Sequence, residues 1–302
     1  MRSCCLQFRK ARWGGQRFGI APQHFNQHDR RMLHRAALLT AVLIATTPCY
    51  AATTGTLSAT YDGYSHGVIA LRLTASFDLT PGAYSGRLEF HTAGMIGWMV
   101  HTESDSQVVG RFAPSPAIAA QPTSFDSTGV MHGTDRVTHM IYQDGLPVLK
   151  AIAPPPEQER TAVPQAETAH TIDTLSAIVQ LMRQVGQTGK CDGAATTYDG
   201  RRLTALTART VGEETLPPAH RLGFDGQALR CDFVGTQLAG FMKGRDEDQL
   251  RRPRHGSAWL AQLVAGAPPV PVQVVFEHQA LGEVTLHLTS ISGSPGVVAQ
   301  IK

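Results

Sequence analysis

Five segments of this 302-residue chain place apolar residues at every second position, and that period restricts the fold to sheet more than any other feature does. In GVIALRLTASFDL, Ile69, Leu71, Leu73, Ala75 and Phe77 fall on one face and Arg72, Thr74 and Ser76 on the other, as in a half-buried strand. The alternation returns in RLEFHT, VTHMIY, VQVVFEH and EVTLHLTSI, and the last two, joined by QALG, read as a hairpin. Asp-Gly pairs punctuate the chain at Asp62-Gly63, Asp144-Gly145, Asp192-Gly193, Asp199-Gly200 and Asp225-Gly226, each suited to the positive φ of a tight turn. Strands this frequent predict a mainly β fold: a strongly curved antiparallel sheet, or partial barrel.

One segment breaks the period. TIDTLSAIVQLMRQVGQTG sets Ile172, Leu175, Ile178, Val179, Met182 and Val185 on one helical stripe. The spacing predicts one amphipathic helix over residues 171–186, with Thr171 or Asp173 as N-cap and Gly186 or Gly189 as terminator. Its apolar face is wide enough to pack on a sheet. Ahead of it, residues 150–170 are rich in Pro, Glu and Gln and read as a linker or mobile loop. β pairing across such a connection is common, so residues 52–302 are expected to form a single domain in two lobes.

The N-terminus has a different character. Residues 1–31 carry many Arg and Lys and no apolar run, whereas MLHRAALLTAVLIATTPCYAA, from Met32, has the basic start, apolar stretch and small-residue end of a secretory signal peptide. The apolar run is about half the roughly 20 residues that a membrane span requires, so no transmembrane anchor is expected in the mature chain. Residues 1–51 are thus expected to be a presequence, with its signal core at 32–51 and cleavage after Ala51 into the periplasm. Translation could begin at Met1 or at Met32.

Cleavage reverses the charge. Eight of the 27 bases and one of the 24 acids lie in residues 1–51, so 19 bases face 23 acids afterwards, a balance that does not favour nucleic acid. Cys4, Cys5 and Cys49 also leave, so Cys191 and Cys231 remain as a pair in an oxidising compartment and read as a disulfide. Two buried thiols are the alternative. Neither cysteine has a C-x2-C partner or a nearby His, which argues against zinc and against a catalytic thiol.

No motif assigns a reaction. GYSHG at residues 63–67 matches the letters of a nucleophile elbow around Ser65, but the elbow needs a strand before and a helix after, and a strand follows here. The ten histidines after Ala51 show no metal-ligand spacing, and no cofactor is implied. MIGWMV gathers Met95, Ile96, Trp98 and Met99, which are suited to an adaptable apolar pocket and, more commonly, to ordinary core. KGRDEDQLRRPRH sets Arg251, Arg252 and Arg254 after three acids. That cluster is either an anion dock or a solvated loop whose ions pair with each other.

The order of the helix start Asp173, Ser176 and Ala177, the Tyr198–Arg201 run YDGR and the Pro271-Val272 closing hairpin resembles an exported bacterial family, the domain of unknown function number 3108. The resemblance implies an exported, mainly β envelope protein and transfers no catalytic residue. Its layout is also similar to periplasmic lipid and lipoprotein carriers, in which a curved sheet cups an apolar ligand against a helix. Three functions stay open. They are a non-enzymatic binder of an apolar or lipid-like envelope ligand, an assembly factor that binds another envelope protein, and a serine hydrolase at Ser65.

Overall fold

The structure is a computed structural model that describes residues 56–114, 118–217, 223–293 and 297–300; the expected presequence lies outside them. Among the described residues the chain forms β1 (Thr56–Ser65), β2 (Val68–Leu79), β3 (Ala83–Thr92), β4 (Thr102–Phe112), β5 (Ala120–Met131), β6 (Thr134–Gln143) and β7 (Leu146–Ala153). The second half adds β8 (Gly193–Tyr198), β9 (Leu203–Leu216), β10 (Gly226–Ala239), β11 (Arg254–Ala261), β12 (Val270–His278), β13 (Gly282–Gly293) and β14 (Val297–Gln300). The helices are α1 (Gly94–Met99), α2 (Pro156–Glu159), α3 (Thr174–Thr188) and α4 (Glu247–Arg251).

Thirteen strands make one antiparallel sheet in the order β7-β6-β5-β4-β3-β2-β1-β13-β12-β11-β10-β9-β8, and β14 pairs with β13. The fold is mainly β, as expected, and the sheet does not close into a barrel. Each half is a meander of neighbouring hairpins, and β1 joins the halves by pairing with β2 on one side and β13 on the other. Alternation explains the inward face. Ala59 and Tyr61 of β1, Ala75 and Phe77 of β2, and Val284, Leu286 and Leu288 of β13 are buried, all at the period of two that the sequence shows.

Asp-Gly proves to be a poorer guide than the alternation. Asp144-Gly145 and Asp199-Gly200 do lie in turns between strands, and each of these glycines has positive φ. Asp192-Gly193 and Asp225-Gly226 only precede or open strands, and Asp62-Gly63 lies inside β1. There glycine is needed for space, since a Cβ on Gly63 would stand 2.7 Å from the Leu71 side chain. Two of the tight turns are His-Gly instead, at His66-Gly67 and His132-Gly133, with φ of 49° and 80° and of 52° and 75°. Both positions are left-handed, as the commonest two-residue hairpin turn requires.

α3 covers the inner face near β3, β4, β5 and β8. Asp173 is its N-cap, accepting a hydrogen bond from the Ser176 amide at 2.8 Å, and Gly189 ends it in the left-handed region. Gly186 stays helical. Leu175, Val179, Met182 and Val185 are buried beneath the helix, as the stripe predicts. Ile172 falls just outside it and bridges Thr197 on edge strand β8.

The Pro-rich stretch is hydrogen-bonded at both ends of the sheet. Glu159 on α2 takes both guanidinium nitrogens of Arg136 from β6, at 2.7 and 2.9 Å. Arg160 donates to the Gly240 carbonyl at 2.8 Å, and the Thr161 amide donates to Phe241.

Candidate functional site

Where the C-terminal turns of α3 face the start of β1, the β2–β3 turn and the β11–β12 loop, a cleft of about 540 Å³ opens. Its walls include Leu57, Phe77, Leu79, Phe112, Val185, Val264 and the pair Pro268 and Pro269. Local sequence keeps the space open. The β11–β12 connection, VAGAPP at 264–269, is built of small residues, and Gly266 adopts φ of 77° to turn it. Gly186 lets α3 approach the loop, because a Cβ there would meet Pro269 at 3.2 Å.

Arg183 is the one charged residue among the described residues that line the cleft. It projects from α3, stacks 3.9 Å from the Phe112 ring centroid and donates from Nη1 to the Pro81 carbonyl at 2.9 Å. Its Nε is buried without a partner, and burial lowers the guanidinium's pKa. The site is therefore an apolar cleft with one partly buried cation in its wall.

The YDGR run performs a structural task at the other end of the strands. Asp199 accepts from the Arg201 and Arg202 amides and from the Arg202 guanidinium. That turn carries the buried Arg201 across the gap between the sheet edges, where it donates to the carbonyls of Ala153 at 2.6 Å, Pro154 at 2.8 Å and Val137 at 3.5 Å. Gly200, at φ 87°, lies so close to β6 and β7 that a Cβ would stand 2.9 Å from Thr138. Arg201 thus helps to tie edges that do not pair strand to strand.

A buried polar cluster underlies the N-terminus of α3. Asp173 Oδ2 accepts from Ser176 Oγ at 2.6 Å, and the Ser176 and Tyr84 hydroxyls lie 2.8 Å apart. Burial pushes the Asp173 carboxyl up, against the hydrogen bonds from Ser176 that lower it. The same desolvation raises Tyr84 and Tyr142, and lifts Tyr198 to about 12.

A second depression is lined by charged residues, among them Arg209, Arg230, Asp232 and Glu277, together with apolar ones such as Phe233, Val275 and Phe276. Its arginines are used internally. Arg230 pairs with Glu214 at 3.1 Å and Asp232 at 2.9 Å, and Asp232 also takes Arg209 and the Ser257 hydroxyl.

Cys191 and Cys231 are joined in a disulfide, both buried, in a cluster with Val185, Leu229, Ala258 and Leu260. Val185 also lines the cleft, so the bridge supports its floor. The other expected residues do not gather there. Trp98 and Met99 are neither core nor pocket. They sit on α1 at the opposite end of β3 from the cleft, 90% and 76% exposed, with Met95 at 69%. The six-residue helix packs its glycine side on β2, where a Cβ on Gly94 would be 2.6 Å from Ile69, and this turns the large side chains outward.

Arg251 pairs with Glu247 at 2.6 Å and covers the Phe241 ring at 4.5 Å, and Arg254 reaches the Gln249 carbonyl at 3.4 Å. Arg251 is thus paired within its own loop. Ser65 ends β1 and donates to the Leu281 carbonyl, with β2 following after two residues, so the strand-to-helix setting of a nucleophile elbow is absent from this position.

Sequence reasoning missed Arg183, Phe112 and the 264–269 loop. They come together only across 70 residues or more of chain, and no local pattern marks them.

No known family model matches the chain, and no curated protein does. Among solved structures it is similar to the beta-barrel-like protein of the domain of unknown function DUF1849 from Brucella abortus. The identity is 13% and the TM-score 0.49, over 80% of this chain and 99% of that one. It is also similar to a domain assigned to outer membrane lipoprotein sorting from Vibrio parahaemolyticus, at 7% identity and a TM-score of 0.26, over 80% of this chain and 87% of that one.

Proposed function

We propose that this is an exported, non-enzymatic binding protein that holds an apolar or lipid-like envelope ligand in the α3 cleft. The observation that carries the reading is the cleft itself: apolar walls at a sheet–helix boundary, in the size range of small-molecule sites. The reading includes a signal peptide cleaved after Ala51, a mature domain from residue 52 in the periplasm, and membership of the family numbered 3108. Native mass spectrometry of the protein purified from periplasm, followed by lipid extraction, tests it together with Ala265→Trp, which fills the cleft. A co-purifying lipid lost in the variant is expected, and an empty wild-type protein that also takes up no apolar probe would sink the reading.

A second reading, an assembly factor that binds another envelope protein, is favoured by one observation, the exposed Met95, Trp98 and Met99 on α1. Photo-crosslinking from position 98 in cells is expected to yield a protein adduct that Met95→Ser with Met99→Ser abolishes, at an unchanged unfolding midpoint. Lipid adducts alone would reject it.

A further inference from the structure

Resting on the carrier reading, we propose that the cleft selects a single acyl chain ending in a carboxylate, and that Arg183 is the residue that recognises the head. The argument is one of charge and of unused donors. Among the described residues lining the cleft, Arg183 alone is charged and no carboxylate stands beside it. Its guanidinium makes one hydrogen bond among the described residues, from Nη1 to Pro81, which leaves Nη2 free and Nε buried without an acceptor. Nε and Nη2 form one edge of the guanidinium fork, the edge that matches the two oxygens of a carboxylate.

The guanidinium carbon rests 3.9 Å from the Phe112 ring centroid, which anchors the group at the cleft wall, and a carboxylate on the Nε–Nη2 edge requires the side chain to turn so that the enclosed Nε faces the cleft. An enclosed Nε without an acceptor is unfavourable, and an anion bonded to it removes that cost. Leu57, Phe77, Leu79, Phe112 and Val264 line the same cleft and suit a chain rather than a second polar group. Among the described lining residues Gln187 and Gln262 are the only other long polar side chains, and Gln262 already donates to the Ala267 carbonyl at 2.9 Å.

The test measures binding of palmitate, 1-hexadecanol and hexadecyl phosphate below their micelle concentrations by calorimetry. The proteins are wild type, Arg183→Gln and Arg183→Lys, each shown by circular dichroism to be folded. Wild type is expected to bind palmitate about tenfold or more tighter than the alcohol, in keeping with a charge-assisted hydrogen bond. Arg183→Gln should erase that preference while keeping its affinity for the alcohol, and Arg183→Lys should retain part of it. Equal affinity of wild type for acid and alcohol, or an equal loss of both in Arg183→Gln, would overturn the role of Arg183. Tighter binding of the phosphate than of palmitate would overturn the carboxylate. Failure of all three to bind would overturn the carrier reading, and the proposal with it, so the two failures are distinguishable.

Discussion

Asp173 shows how one side chain can carry opposing demands. As N-cap it satisfies the Ser176 amide, yet it is fully buried, and desolvation raises its carboxyl pKa above the unfolded value. A group shifted in this direction contributes most to stability below the unfolded carboxylate pKa, and the contribution is lost as pH rises through the folded value. Asp173→Asn keeps a capping oxygen and cannot ionise. Urea titrations over a pH series should therefore show the stability difference moving in the variant's favour as pH climbs from the acid side of the carboxylate range, and a difference independent of pH would contradict it. The N-cap was legible in the sequence as one of two choices, because an Asx residue ahead of an apolar stripe is a local signal. Arg183 was not. On the helix it reads as a solvated base beside the apolar stripe, and its role depends on Phe112 and Pro81, which the chain pattern does not connect to it.

At the scale of elements, periodicity succeeded where an element has a wet face and a dry one. β2, β3, β6, β12, β13 and α3 all lie where their apolar spacing puts them, because each buries a single stripe or face. α1 escaped because GMIGWM is too short to show a period, and its helix is held by tertiary contacts, among them the Thr92 hydroxyl donating to the Val100 carbonyl at 2.8 Å. Apolar composition suggested core there, but glycines on the packed side leave Trp98 in water. The disulfide ties the end of α3, through the start of β8, to β10. It closes a sequence separation of 40 residues, so Cys191→Ala with Cys231→Ala should lose about 4 kcal/mol on the chain-entropy account, read as a shift of the urea midpoint at constant slope. A loss under about 1 kcal/mol would mean that packing by Val185, Leu229 and Leu260 carries the cluster without the bond.

For the whole molecule, the alternation and the turns supported a curved antiparallel sheet, and the sheet is found open, with Arg201 and the Pro-rich stretch spanning its gap. The gap could not be read from the sequence, since closure depends on strand number and stagger accumulated over the entire path. The strand order sets a timetable as well. β1, the first of the described strands, pairs along its length with β13, near the other end, from Leu57 opposite Gly293 to Ser65 opposite Val284. As the polypeptide emerges, β1 to β7 can zip as successive hairpins, but the outer edge of β1 stays bare until more than 200 further residues have appeared. A bare edge on β1 invites pairing with a stranger. For a protein of this order, the vulnerable interval is the emergence of its chain, and whatever shields emerging chains has to reach β1 before β13 does.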